Sequence, residues 1–228
     1  MSIVETKNVS KTYAQGKVSV QALRDISLSV GKGEFMALCG PSGSGKTTLL
    51  NLIGGLDKPD NGSVILDDQE LTTMRQGPLA ELRLHKVGFI FQSYNLVPVL
   101  TAQENVEFVM LLQGVPARER TTRARNILDE VGLSEHHNRR PAELSGGQQQ
   151  RVAVARAIVS NPAIILADEP TANLDSKTGE SLLQMMHGLN KEKQITFIFS
   201  THDQMVMDHA RRLTTLHDGK LTADETKH

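Results

Sequence analysis

The sequence predicts an α/β fold: a largely parallel sheet wound with helices, joined to an antiparallel β part and a helical lobe. Three observations carry this. Four short, nearly continuous apolar runs, at residues 35–39, 87–91, 164–167 and 195–199, have the composition of strands buried on both faces. Helical patterns lie between them, which is the order of a doubly wound core. Upstream, residues 18–30 alternate apolar and polar, as a half-buried antiparallel sheet does.

Val18, Val20 and Ala22, then Ile26, Leu28 and Val30, alternate with polar neighbours and predict antiparallel strands. The buried strand at 35–39 ends in Gly40 and leads to a helix over 47–53. Residues 57–62, with Pro59, Asn61 and Gly62, predict a loop before a strand at 63–66. After the strand at 87–91, residues 104–113 and 118–131 read as charge-rich helices, and 148–159 carry Ala and Val at helical spacing. Leu182, Leu183, Met186 and Leu189 form one apolar helix face. Residues 93–160 interrupt the alternation of strand and helix and predict a lobe standing off the core. Residues 1–92 and 161–228 then hold the core and the β part of a single domain, long enough to bury it without staples.

Lys and Arg number 25 and Asp and Glu 26, a formal charge of −1, which argues against binding nucleic acid through a broad basic face. A single Cys excludes a disulfide framework within the chain. Residues 1–7 lack the pattern of a signal peptide. The apolar runs fall far short of the ~20 residues that cross a bilayer.

Gly40-Pro41-Ser42-Gly43-Ser44-Gly45-Lys46-Thr47-Thr48 fits G-x-x-x-x-G-K-[ST] between a buried strand and a helix, the context this motif requires. Its glycines let backbone N–H groups turn onto phosphate oxygens, and the helix start adds a positive dipole end. Lys46, read as lying on an exposed loop, supplies an ammonium for the terminal phosphates, and the Thr47 hydroxyl is a ligand for Mg²⁺. A glycine-rich turn before a helix is often only structural; the complete motif in this setting favours phosphate binding.

Residues 164–169 form a strand that ends in Asp168 and Glu169, where open α/β sheets bind ligands. Asp168 suits Mg²⁺, and Glu169, on the other side, suits orienting or deprotonating a water. A solvent-facing carboxylate pair is the plainer alternative. Leu144-Ser145-Gly146-Gly147-Gln148-Gln149-Gln150-Arg151 opens a helix. Ser145 is a natural N-cap, and the glycines leave the helix end bare, which is an anion site; an ordinary capped start is the alternative. His136 and His137 lack metal-ligand spacing and are expected on the surface.

Taken together, these strings resemble the ATP-binding cassette of ABC transporters over nearly the whole chain. The resemblance implies a P-loop NTPase core with a RecA-like sheet, and an ATPase that uses ATP and Mg²⁺. It implies that Tyr13 stacks on adenine and that Gly40, Ser42, Gly43, Ser44, Gly45, Lys46, Thr47 and Thr48 hold the phosphates. Gln92, directly after Phe91, would link the nucleotide and its metal to the lobe, beside Thr47 and Asp168. Asp175, in Asn173-Leu174-Asp175, would make a dimer contact, His202 would touch the γ-phosphate, and Glu169 would be the base. Two copies would pair head to tail, with Ser145, Gly146, Gly147 and Gln148 of one over the ATP of the other.

The resemblance also implies a separate integral membrane permease and a peripheral place at the cytoplasmic face of the inner membrane. Residues 91–98, 104–106 and 170–179 look most like the lipoprotein-releasing and macrolide-export cassettes, with Ala172 departing where that group often carries Gly. Tyr94, Leu96, Val97, Val99 and Leu100 offer either a permease-docking surface or a lobe core. The alternative is a non-transport cassette acting on nucleic acid or ribosomes. Such proteins usually pair two cassettes in one chain, and the charge balance lacks their basic face. A P-loop kinase or GTPase would leave residues 144–151 unexplained.

Overall fold

The computed structural model describes residues 2–16 and 18–227; the side chains of Gln15 and Val18 lie outside what is described. The chain starts with β1 (Ser2–Gln15), β2 (Val18–Gly31), β3 (Phe35–Cys39) and helix α1 (Lys46–Ile53). It continues through β4 (Asn61–Leu66), β5 (Gln69–Glu70), α2 (Gln76–Lys86) and β6 (Val87–Ile90). Three helices follow, α3 (Ala102–Leu112), α4 (Ala117–Glu130) and α5 (Gly146–Ile158), the last preceded by a 3-10 turn at Pro141–Glu143. The remainder is β7 (Ile164–Asp168), α6 (Ser176–Lys193), β8 (Thr196–Thr201), α7 (Gln204–His209), β9 (Arg212–His217) and β10 (Lys220–Thr226).

Two sheets result. One is antiparallel, in the order β2-β1-β4-β5; the other runs β10-β9-β3-β8-β7-β6, parallel throughout except for β10 at its edge. The four apolar runs are β3, β6, β7 and β8, and both faces of this sheet are covered. Phe35, Ala37, Ile165, Ala167, Phe197 and Phe199 join a hydrophobic cluster with α5 and α6. Met36, Leu38, Ile164, Leu166 and Ile198 join a second, with α1 and the antiparallel sheet. Burial on both faces removes the polar alternation, which is why these strands read as continuous apolar runs. The first cluster extends through Val152 and Val154 to Val106, Met110, Ala124 and Leu128, so α3 and α4 are packed onto the same core by way of α5.

Several expectations are revised. Of the upstream alternation, Ile26, Leu28 and Val30 are buried, but Val20 is exposed. Asn61 and Gly62, read as loop, belong to β4. The sequence gives no warning of α2, which buries only Leu79 and Leu82 and carries Gly77 and Pro78 in its first turn, a combination that reads as a break. Its Pro is tolerated because first-turn N–H groups have no partner within the helix.

Candidate functional site: a phosphate-binding loop facing two carboxylates

From Cys39 the chain turns into α1 through positions that only glycine can occupy. Gly40 has φ 144° and passes under the backbone of β9: a Cβ there would stand 2.1 Å from the carbonyl oxygen of Leu216. Gly45, the N-cap of α1, has φ 104°, and its Cβ would stand 2.5 Å from the carbonyl oxygen of Ala22. Lys46 is the first residue of α1 and is buried, which corrects its reading as part of an exposed loop. Its ammonium donates to the carbonyls of Gly40 and Pro41, at 2.7 and 2.9 Å. The buried hydroxyl of Ser44 meets no partner among the described residues.

The Thr47 hydroxyl donates to the Asp168 carboxylate, 3.0 and 3.2 Å from its two oxygens, tying the start of α1 to the end of β7. The next residue, Glu169, has φ 46°, and its backbone N–H donates to the carbonyl of Ser200 at 2.9 Å. Its side chain turns away from Asp168 to His202, with Oε1 2.7 Å from Nδ1, and accepts a longer bond from the Thr201 hydroxyl at 3.4 Å. Asp168, Glu169, His202 and Gln92 line one cleft of about 780 Å³ together with Ser42, Gly43, Gly45, Lys46, Thr47 and Thr48. The Thr47 hydroxyl, the Asp168 carboxylate and the Gln92 amide are hard oxygen donors. Among the described residues no cluster of three His, Cys, Asp or Glu could cage a metal. That donor set fits Mg²⁺, which keeps waters and takes its remaining ligands from substrate phosphates.

The opposite wall escaped the sequence reading. It is made by Gln21, Ala22 and Arg24 of β2 and by Asp218 and Gly219, the turn between β9 and β10. Both turn residues have positive φ, as a two-residue hairpin requires. Gly219 donates to the carbonyl of Ser44 (3.1 Å) and accepts from the N–H of Arg24 (2.8 Å), so the hairpin clamps the loop to β2. An Asp-Gly pair between alternating residues was a usable hairpin signal; its partner in space was not. Tyr13 pairs with Val20, a lining residue, across β1 and β2, but does not itself line the cleft. Its hydroxyl donates to Asp57 at 2.8 Å, and the Lys11 ammonium lies 5.2 Å from its ring centre. Burial, and then the Asp57 carboxylate, raise this phenol above its ordinary pKa.

Ser145, Gly146, Gly147 and Gln148 are absent from this cleft. Ser145 caps α5 reciprocally with Gln148: its hydroxyl accepts from the Gln148 N–H (3.3 Å), and the Gln148 amide oxygen accepts from the Ser145 N–H (2.9 Å). The helix start is therefore not bare, a correction with a plain cause: Gln stands at the third position of a Ser-capped helix. A Cβ on Gly146 would stand 2.9 Å from the Tyr94 hydroxyl, and one on Gly147 would stand 2.4 Å from Cγ2 of Thr178. Asp175 caps α6, accepting from the N–H (3.0 Å) and hydroxyl (2.6 Å) of Thr178; these bonds hold its carboxyl below the usual range. Asn173 donates to the carbonyl of Gln92 at 2.9 Å, so the 173–175 loop stands between Gln92 and the start of α5. His136 and His137 are half-buried rather than free on the surface, bonded to Gln148 (2.9 Å) and Asp129 (2.8 Å).

A second, more apolar groove of about 360 Å³ is lined by Leu56, Phe89, Phe91, Val109, Asn95 and Arg156, among others. Of the apolar segment after Gln92, Leu96 packs against the first hydrophobic cluster, whereas Val97 and Val99 stay exposed. The segment is thus divided between core and surface. Among the described residues no helix is long and apolar enough to cross a membrane.

Comparison with known proteins agrees with this geometry. A family model described as ABC transporter matches residues 23–172. An uncharacterized ABC transporter ATP-binding protein of Thermotoga maritima is 47% identical over 225 residues, covering 99% of this chain and 96% of that one. The macrolide export ATP-binding/permease protein MacB of Syntrophobacter fumaroxidans is 45% identical over 221 residues; they cover 96% of this chain but only 31% of MacB. Among solved structures, the cassette MJ0796 in a dimeric, post-hydrolysis state bound to ADP and Pi superposes with a TM-score of 0.92 at 44% identity, covering 99% of both chains. The cleft, its two carboxylates and these relatives place the chain in the ABC transporter family, as an ATP-binding cassette.

Proposed function

We propose that the chain hydrolyses ATP as half of a head-to-tail dimer and drives a separate integral membrane permease, in lipoprotein release or export. The observation that carries this reading is a separation. The loop, Thr47, Asp168, Glu169 and His202 share one cleft, while the Ser145-capped start of α5 lies outside it. A second copy supplies the missing helix end. The dimeric state of MJ0796 supports this, since that cassette was seen as a dimer with ADP and Pi.

In this reading the loop N–H groups and Lys46 hold the β- and γ-phosphates. Mg²⁺ held by Thr47, Asp168 and Gln92 supplies neutralising charge for the phosphates when bound. Glu169 takes the proton of the attacking water. His202 is anchored through Nδ1 on Glu169, which leaves Nε2 for the γ-phosphate. Tyr13, one strand from the lining residue Val20, offers a ring at the adenine end. Asp175, fixed as the cap of α6 next to Asn173, contacts the partner copy. The starting turn of α5, Ser145 through Gln148, closes over the partner's ATP, where its dipole meets phosphate charge.

The permease docks a short helical segment in the groove of Leu56, Phe89, Phe91 and Val109, and the chain works at the cytoplasmic face of the inner membrane. The relative MacB, which joins ATP-binding and permease parts in one chain, supports such a partner.

Mixing variants tests the head-to-tail arrangement. Lys46→Ala should lose ATP binding by about 2–5 kcal/mol, the usual cost of removing one partner of a buried charge contact. Ser145→Arg should bind ATP as a single chain but not hydrolyse it. A mixture of the two regains activity, because one site of the mixed dimer then has an intact loop and an intact partner helix end. Parent-level hydrolysis by Ser145→Arg alone would overturn the composite site.

A further inference from the structure

The helix that begins after Ser145 also grips the two turns that carry this chain's own Glu169 and Gln92. Gln150, on α5 and fully buried, donates from Nε2 to the carbonyl of Pro170 at 2.8 Å, and Pro170 directly follows Glu169. Its Oε1 is also buried and meets no donor among the described residues. A fully buried amide with an unused oxygen is an unfavourable way to fill space, so packing alone does not account for it. Six residues further along α5, Arg156 donates from Nη1 to the carbonyl of Asn95 (2.5 Å) and from Nη2 to that of Tyr94 (2.9 Å). Among the described residues no carboxylate pairs with this guanidinium, and burial lowers its pKa.

Both gripped turns are strained. Glu169 has φ 46°, Tyr94 φ 61° and Asn95 φ 49°, left-handed values that residues with a Cβ adopt only where the surroundings enforce them. Each lies at or next to a cleft residue: Glu169 is one itself, and Tyr94 stands two residues after Gln92. The Tyr94 hydroxyl also reaches back to the first turn of α5, at Gly146. Between the two polar grips α5 is buried at Val152, Ala153, Val154 and Ala155, so it moves as one body or not at all.

We infer that Gln150 and Arg156 are positioning residues, through which the seating of α5 on the partner's nucleotide sets where Glu169 and Gln92 stand in the same chain's cleft. The inference rests on the head-to-tail reading. It assigns neither residue any contact with ATP. It makes the two sites of a dimer interdependent: the α5 that closes one site aligns the base of the other. Misplacing a reacting group by about 1 Å costs on the order of a hundredfold in rate, so even a small rotation of α5 is enough to matter.

Steady-state hydrolysis across ATP concentrations, with ATP binding to the single chain measured separately, tests this on full-length Arg156→Gln, Arg156→Lys and Gln150→Met. Arg156→Gln and Gln150→Met should lower kcat roughly 10- to 100-fold while single-chain ATP affinity stays within about twofold, because Lys46 and Thr47 are untouched. Arg156→Lys should recover part of the loss, since one ammonium reaches one of the two carbonyls. It keeps the charge and carries the test alone if the other variants do not fold. Parent-level kcat in folded variants, or an affinity loss equal to the kcat loss, overturns the inference. Ser145→Arg run alongside separates the two ideas. Full hydrolysis there removes the head-to-tail reading; hydrolysis lost there but intact in the α5 variants removes only the positioning role.

Discussion

Replacing Glu169 by Gln exchanges one oxygen for an NH₂ group and leaves the volume unchanged, and the structure limits what that does to the fold. Glu169 meets His202 at 2.7 Å and Thr201 at 3.4 Å; the amide keeps an acceptor for the first, and the second is long. The His202 side chain is 68% exposed, so solvent screens the pair, worth about 0–1 kcal/mol. For a chain of this size each kcal/mol moves Tm by roughly 2–4 °C, so Tm should fall by no more than about 4 °C. Removing a general base costs on the order of 10²–10⁴ in rate, or about 2.7–5.4 kcal/mol on the barrier. The rate penalty should therefore exceed the stability penalty severalfold. Single-turnover hydrolysis with Mg²⁺ and ATP measures the first, thermal denaturation the second, and light scattering should show the variant accumulating as an ATP-bound dimer. Hydrolysis within tenfold of the parent would refute Glu169 as the base. A rate loss accompanied by a Tm drop beyond about 10 °C would refute the claim that its role is chemical rather than structural.

The groove and the acid behaviour give two further tests. Leu56 is 47% exposed in the apolar groove and lies outside the nucleotide cleft. Leu56→Glu should leave basal ATPase unchanged and weaken permease binding at least about tenfold, as loss of a central apolar anchor does; equal binding would place the permease elsewhere. Leu96→Glu, by contrast, puts a charge against the core and should lower urea stability by about 1–3 kcal/mol. Hydrogen bonds from Lys86 to Asp67 and from Arg212 to Asp224 hold these carboxyls below their usual range. Stability from a depressed carboxylate pKa is fully present above the unfolded value near 4 and is lost as pH falls through the lower folded value. Urea stability should thus be level from about pH 5 to 7 and decline below about pH 4, and the gap between parent and Lys86→Met should close in that decline. A gap of equal size at pH 7 and at pH 2.5 would contradict the pairing.

The central sheet could be read from the sequence because its strands are buried on both faces: β3, β7 and β8 each announce themselves in five or six residues. The turn of the glycine-rich loop was legible for a different reason, since its glycines answer to backbone approach rather than to side-chain packing. What escaped were features fixed by distant partners. The burial of Lys46 follows from its contacts with Gly40 and Pro41 inside a turn that sequence alone presents as a loop. The left-handed Tyr94 and Asn95 carry no glycine to signal their conformation; a guanidinium more than sixty residues away enforces it. The Asp218-Gly219 wall depends on β9 lying beside β3, a pairing no local pattern encodes.

That pairing also sets a timetable. The strand bearing the phosphate loop ends at residue 39, yet its two neighbours in the sheet end at residues 201 and 217. At about 5–20 residues per second, a ribosome takes on the order of 10–40 s to reach the second from the first. Until β8 is made, the emerging polypeptide carries the whole glycine motif with bare strand edges on both sides of β3, and one edge stays bare until β9 follows. The Ser44 carbonyl still awaits the hairpin amide of Gly219. Helices α3 to α5 emerge complete well before then, and their short-range contacts form quickly, whereas parallel strand pairing over such a span is slow. A nascent chain halted near residue 190 would hold every residue of the loop and of Asp168-Glu169 but lack β8, β9 and the Asp218-Gly219 wall of the cleft. The cleft that this hairpin completes is thus assembled late in translation, after α5 has already been made.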